Sequence, residues 1–157
     1  MHYDFELMGR RVRLWQRVGE GYGHVLMKAL GYAMYAGEFP SLEIEQRVGL
    51  RYKPDLVAQR SSNEQGGRRF AFWGECGMVS MRKVAWLLKH GDVERLVLFK
   101  IETNAAALAE ELRASVGVRY RPQGRLTVVN FSGDIAALAA SRRIARVPQS
   151  WYTTTRV

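Results

Sequence analysis

Apolar positions recur along this chain with two periods, and the switches between them divide it into elements. Residues 3–14 alternate, with Tyr3, Phe5 and Leu7 on one side followed by Val12 and Leu14, which predicts a strand or hairpin turning at Met8, Gly9 and Arg10. A glycine-rich break at 19–23 (GEGYG) follows. Residues 24–36 then carry Val25, Leu26, Ala29, Leu30, Ala33 and Met34 at helical spacing, and Gly37 ends the helix. Residues 38–45 alternate through Phe39, Leu42 and Ile44, a strand interrupted by Pro40. Residues 51–59 (RYKPDLVAQ) and 70–75 (FAFWGE) read as strands joined by a polar hairpin loop, 60–69 (RSSNEQGGRR). Residues 78–90 form an amphipathic helix with Met81, Val84, Ala85 and Leu88 on one face. A strand at 94–102, a helix at 104–115 capped by Asn104, a strand at 124–132 and a short helix at 134–140 complete the pattern.

This order predicts an α/β chain (an α+β mixed sheet), with an antiparallel meander in the middle, βαβ crossovers after it and helices on both faces. A length of 157 residues fits one domain, 1–157, with a basic C-terminal extension at about 141–157. That extension holds Arg142, Arg143, Arg146 and Arg156 and no acid, and reads as a docked or disordered tail. With Trp151 and Tyr152 it could equally stack bases and meet phosphates. The single cysteine, Cys76, excludes an internal disulfide framework and a Cys-rich zinc module, and suits a reducing, cytoplasmic compartment. No apolar run approaches the roughly 20 residues of a membrane span, and the N-terminus lacks the charged head and apolar stretch of a signal peptide.

Charge changes the picture. Lys and Arg number 24 against 15 Asp and Glu, a net +9, and arginine supplies most of the excess. Such a chain attracts polyanions, which prompts a search for a nucleic-acid site; a genome that writes Arg for Lys would give the same surplus.

Two carboxylates supply candidate chemistry. Asp55 follows Pro54 in one strand of the predicted hairpin, and Glu75 closes the next. On antiparallel neighbours they can face each other, and two close carboxylates repel unless a cation sits between them. Mg²⁺ or Mn²⁺ is the usual answer, because hard cations take oxygen ligands. Carboxylates at strand ends are also ordinary solvated residues.

At this point the chain resembles the PD-(D/E)XK nuclease superfamily, and more narrowly the YaeQ-like proteins within it. The resemblance rests on the αβββαβ order, the Pro54-Asp55 pair, Glu75 at the end of the following strand, the helix pattern HVLMKALGYAMYA at 24–36 and the stretch WGECGMVSMRK at 73–83. It implies a restriction-endonuclease-like core over roughly residues 1 to 135. It further implies that Asp55, Glu75 and the backbone carbonyl of Cys76 bind the metal. Gly77 stands where the motif lysine belongs, a departure that YaeQ-like proteins share; in them the lysine role is thought to move to the following helix, which here begins with Arg82 and Lys83. An acid near the start of the first helix would hold a second metal or a water, with Glu20 the candidate and His24 the alternative; Glu20 is also an ordinary favourable acid before a helix N-terminus. Taking 100° per residue, Lys83 points away from the apolar stripe of its helix.

The expected function is therefore a Mg²⁺- or Mn²⁺-dependent nuclease-fold protein hydrolysing phosphodiester bonds in DNA, with RNA the alternative substrate. Asp55, Glu75 and Lys83 would be catalytic, and Arg60, Arg68, Arg69, Arg82, Arg142 and Arg143 would contact nucleic acid. On this reading the cationic surplus clusters on the Asp55/Glu75 side. The alternative is a non-catalytic nucleic-acid-binding or protein-assembly module on the same fold, including a homodimer through Phe70, Phe72 and Trp73, which otherwise read as two-sided core, with Phe70 and Phe72 on one face and Trp73 on the other. The thiol of Cys76 reads as a small buried group, and His2, His24 and His90 have no metal-ligand spacing.

Overall fold

A computed structural model describes residues 1–61 and 66–157; positions 62–65 of the predicted hairpin loop lie outside the described residues. The chain opens with a hairpin, β1 (His2–Leu7) and β2 (Arg10–Trp15), turned by Met8 and Gly9, both at positive φ. Helix α1 (Tyr22–Tyr35) follows, then strands β3 (Glu43–Ile44), β4 (Leu56–Gln59) and β5 (Phe70–Cys76), helix α2 (Met81–His90), strand β6 (Leu96–Ile101) and helix α3 (Ala105–Ser115). Strand β7 (Leu126–Phe131), a short helix α4 (Ile135–Leu138), strand β8 (Arg143–Ile144) and strand β9 (Tyr152–Arg156) complete it.

Among the described residues the strands form two sheets. A large one runs β3-β4-β5-β6-β7-β9, and a small one runs β2-β1-β8. In the large sheet β4 is antiparallel to β5, β5, β6 and β7 are parallel, and β9 is antiparallel to β7. This is the mixed sheet that alternating strands and helices predict. The predicted extension at 141–157 is docked as strands: β8 pairs with β1 and β9 closes the edge of the large sheet. Its signal is the run of aromatic Tyr152 and β-branched Thr153, Thr154 and Thr155, which belongs on a pleated surface.

Helix α1 is apolar almost all round because it is covered on both sides. Phe5, Leu7 and Ile144 of the small sheet and Phe72, Val97, Phe99 and Val129 of the large one join it in a single core. Gly31 permits that closeness, since a Cβ there would lie 2.6 Å from Leu56 Cδ1 and 2.9 Å from Phe99 Cζ. On the opposite face Val84, Leu87 and Leu88 of α2 and Leu112 of α3 cover Val57, Trp73, Leu98 and Val128.

Three sequence expectations need correction. The pairing of β4 with β5 slips between Ala58 and Gln59, so Ala71 has no partner and the parity of β5 changes. Phe70 therefore joins Trp73 beneath α2, and Phe72 packs beneath α1, instead of the two phenylalanines sharing a face. All three are fully buried in a central strand, which removes them from any dimer edge. The strands expected at 38–45 and 51–59 shrink to β3 and β4, because the intervening chain runs through Pro40, Gly49 and Pro54. Helix α2 starts at Met81, where the Ser80 hydroxyl accepts from the Lys83 amide. Among the described residues no helix is long and apolar enough to cross a membrane.

Candidate functional site

The start of β4 and the end of β5 meet because the two strands are antiparallel, and this places Asp55 and Glu75 at the same end of the large sheet. The register fixes Asp55 further: its amide donates to Gly74 O, and its Oδ2 accepts from the Cys76 amide at 2.7 Å. Asp55 Oδ1 lies 3.4 Å from His24 Nε2 on the first turn of α1. Burial works to raise the Asp55 carboxyl, and it is outweighed by the hydrogen bonds from His24 and the Cys76 amide and by the charges of His24 and Lys28. Asp55 is therefore held below the ordinary aspartate range.

Glu75 points to the α2 face, as Trp73 does two residues earlier. Its Oε1 accepts from Trp73 Nε1 at 2.8 Å and lies 2.8 Å from Lys83 Nζ. Burial raises the Glu75 carboxyl above the usual glutamate range, against the pull of Lys83 and Trp73; nearby Asp55 adds to the rise. The two carboxylates are thus pushed apart in acidity by different surroundings. Lys83 reaches Glu75 although 100° spacing from Met81, Val84, Ala85 and Leu88 turns it away. The buried stripe also includes Leu87, four residues after Lys83 and on its side of the helix. The Lys83 ammonium also sits 5.1 Å from the centre of the Tyr52 ring.

Glu20 falls on the α1 side. Its Oε1 lies 3.5 Å from His24 Nε2 and 3.6 Å from Lys28 Nζ. Lys28 is almost fully buried, at 1% exposure, and its Nζ donates to Glu45 Oε1 at 2.9 Å. The acids and bases at this end therefore form one chain of contacts, Glu45 to Lys28 to Glu20 to His24 to Asp55, with Glu75 and Lys83 beside it.

Gly77 follows Cys76 at φ +79°, and a Cβ there would lie 3.2 Å from His24 Nδ1. The backbone turns left-handed against the His24 ring, which favours glycine at this position. Its carbonyl accepts from Lys100 Nζ of the neighbouring strand β6. Burial lowers the pKa of the Lys100 ammonium, while Cys76 and Glu75 oppose that shift. The Cys76 thiol is buried, and burial raises it well above the ordinary thiol range, with Asp55 and Glu75 acting in the same direction.

Sequence reasoning missed Lys28, Glu45, Lys100, Trp73 and Tyr52. Lys28 and Lys100 had a signal: each is a lone charge inside an otherwise apolar element, and a buried charge needs partners. Glu45 had none, because its place follows from a non-glycine residue at φ +56° whose amide donates to Asp55 O.

The cationic surplus does not gather here. Arg60, Arg68 and Arg69 lie across the length of β5 from Glu75, about 20 Å for a seven-residue strand at ~3.3 Å per residue. Arg60 pairs with Glu94, Arg68 lies 3.9 Å from Asp92 and Arg69 donates to Val48 O. Arg60 and Arg68 join Arg95, Arg125 and Arg156 around a groove of about 810 Å³ at that far end. Arg142 stacks over Tyr3 and Arg143 lies 3.6 Å from Glu6, both on the small sheet. Of the predicted contact arginines only Arg82, exposed on the first turn of α2, neighbours Lys83. The basic side chains in direct contact with the site's acids are Lys28, Lys83, His24 and Arg17.

No family model and no curated protein matches the chain. Solved structures do. The YaeQ protein of Xanthomonas axonopodis pv. citri is similar with a TM-score of 0.61 at 18% identity, over 90% of this chain and 80% of that one. The YaeQ protein of Pseudomonas syringae is similar with a TM-score of 0.58 at 14% identity, over 85% of this chain and 69% of that one. The chain thus has the fold of the YaeQ proteins.

Proposed function

We propose that this chain is a metal-dependent nuclease of the PD-(D/E)XK superfamily, with a restriction-endonuclease-like core, which hydrolyses phosphodiester bonds in DNA or, failing that, RNA. The observation that carries this reading is the placing of Asp55, just before β4, and Glu75, near the end of β5, at one end of the large sheet, both at least partly buried, with the Lys83 ammonium 2.8 Å from Glu75 Oε1.

The donor set suits Mg²⁺ or Mn²⁺. Among the described residues no three His, Cys, Asp or Glu side chains are grouped as a metal cage. Mg²⁺ needs no such cage; it keeps several waters and takes one or two carboxylates plus substrate phosphate oxygens. Asp55 and Glu75 would hold it, with the Cys76 carbonyl as a further oxygen. When bound, such an ion supplies an activated water and shields phosphate charge.

The chain's own residues do the rest. The Cys76 amide and His24 fix the Asp55 carboxylate in one orientation and favour its charged form. Trp73 Nε1 orients Glu75 through one oxygen, which leaves Oε2 for another ligand. Lys83 sits where it can move from Glu75 to a phosphate oxygen as negative charge develops there. Arg82 would bind the neighbouring backbone phosphate. Arg60, Arg68, Arg69, Arg142 and Arg143 would meet only a polyanion long enough to pass the far end of the sheet or the small sheet.

The test is cleavage of plasmid and single-stranded DNA with Mg²⁺ or Mn²⁺ by the wild type, Asp55→Ala and Glu75→Ala. Metal-dependent nicking that disappears in both variants is expected. Binding without nicking, equal in all three, selects a second reading, a nucleic-acid-binding module. That reading is favoured by one observation: each carboxylate already faces a basic side chain, His24 or Lys83.

A further inference from the structure

We propose that Lys28 is a built-in cation that fills the place of a second divalent ion, so that this site takes one metal ion and not two. The inference rests on the metal reading of Asp55 and Glu75 given above and concerns the other half of the site.

Two acids on the α1 side meet at one cation. Glu20 and Glu45 come from separate loops, yet both turn an Oε1 toward one point, at 3.6 and 2.9 Å from Lys28 Nζ. Glu45 does so from a left-handed backbone, at φ +56°, a conformation that costs energy for a residue with a side chain and persists only where its surroundings hold it. Asp55 is tied to the same point: His24 Nε2 bridges Glu20 and Asp55, at 3.5 and 3.4 Å. Two carboxylates aimed at one point, one step from the proposed metal ligand Asp55, would otherwise form a hard-cation site. Two-metal phosphoryl-transfer sites place their ions ~3.5–4 Å apart and share a carboxylate between them.

Here the point is occupied by protein. Lys28 rises from the middle of α1, its side chain sealed between the two sheets at 1% exposure, and delivers one positive charge to the two acids. Arg17 Nη2, 3.6 Å from Glu45 Oε1, contributes a second from outside. Together they balance Glu20 and Glu45 without a metal. A lysine in this apolar helix face is costly unless paired, and the pairing consumes the ligands a second ion would need. The consequence is chemical: with one ion, charge that a second metal would neutralise on the phosphate falls to Lys83.

The experiment counts bound Mn²⁺ by electron paramagnetic resonance titration of the full chain in wild type, Lys28→Met and Glu20→Gln, with folding checked by circular dichroism. The wild type is expected to bind one ion and Lys28→Met two. Glu20→Gln is expected to keep the wild-type count, because its carboxylate serves Lys28 and not the metal. Two ions in the wild type, or one in both the wild type and a folded Lys28→Met, overturns the role of Lys28 and leaves the Asp55/Glu75 site standing. A wild type that binds none overturns the metal reading itself, and this proposal with it. If Lys28→Met fails to fold, Lys28→Gln, which keeps a polar side chain against Glu20 and Glu45, takes its place in the same count: two ions support the proposal, and one overturns it.

Discussion

Lys83 Nζ lies 2.8 Å from Glu75 Oε1, joining the first turn of α2 to the end of β5 and giving the site the ammonium that Gly77 cannot carry. If that ammonium stabilises charge on the phosphate, Lys83→Met should lower the metal-dependent cleavage rate by about 10²–10³, the loss on removing one such donor. Lys83→Arg should retain part of it. Equal rates for Lys83→Met and wild type in a plasmid-nicking assay would remove Lys83 from the mechanism.

Glu75 should trade stability for function. Its carboxyl is raised by burial, so the folded state holds its proton more tightly than the unfolded chain does. The stability it contributes is full below the ordinary glutamate pKa and is lost as pH rises through the higher folded value. At neutral pH the ionised side chain is therefore a net cost. Glu75→Gln keeps the acceptor for Trp73 Nε1 and sheds the charge, so its melting temperature should exceed that of the wild type at pH 7, with the gap closing toward pH 4. A lower melting temperature at pH 7 would contradict this account.

Asp55 has the opposite sign. Its folded pKa is depressed, so its contribution is present above the ordinary aspartate range and fades as pH falls through the lowered value. Asp55→Ala also strips the Cys76 amide of its acceptor, at a cost of about 1–3 kcal/mol for a buried donor left unpaired. Urea unfolding at pH 7 should show that loss. Between pH 4 and pH 2 the difference from wild type should shrink; a constant difference would mean that Asp55 acts through packing alone.

Restoring the motif lysine should harm the protein. Gly77→Lys puts a side chain at φ +79° and brings Cβ within 3.2 Å of His24 Nδ1. The left-handed backbone alone costs roughly 1–2 kcal/mol. A drop in melting temperature with no gain in cleavage is expected, whereas a variant both stable and more active would show that the turn can relax.

How much of this was readable beforehand follows from range in the sequence. The hairpin at Met8-Gly9, the Asn104 cap, which accepts from the Ala107 amide, and the β5 aromatic strand depend on neighbours a few residues away, and local pattern revealed them. Asp55 and Glu75 were legible as a pair because one antiparallel hairpin brings them together whatever the rest of the chain does. Strand β9, read as part of a tail, needed β7, more than twenty residues earlier, as its partner. The arginine surplus looked like a feature of the site and is mostly bound elsewhere: Arg125, for example, is buried and donates to the carbonyls of Leu88, Val93 and Tyr120.

By itself, then, the sequence determined most of the element types, the mixed sheet and the placing of Asp55 and Glu75 at one end of neighbouring strands, because periodicity and turn chemistry act locally. Only the tertiary structure decided which cations meet those carboxylates. Lys28 became an internal ion because α1 is sealed between two sheets, Lys83 found Glu75 because Leu87 turns α2 toward β5, and Gly77 stayed glycine because His24 of a distant helix stands against it. Those are contacts between surfaces, and no spacing along one chain encodes the distance between two of its faces.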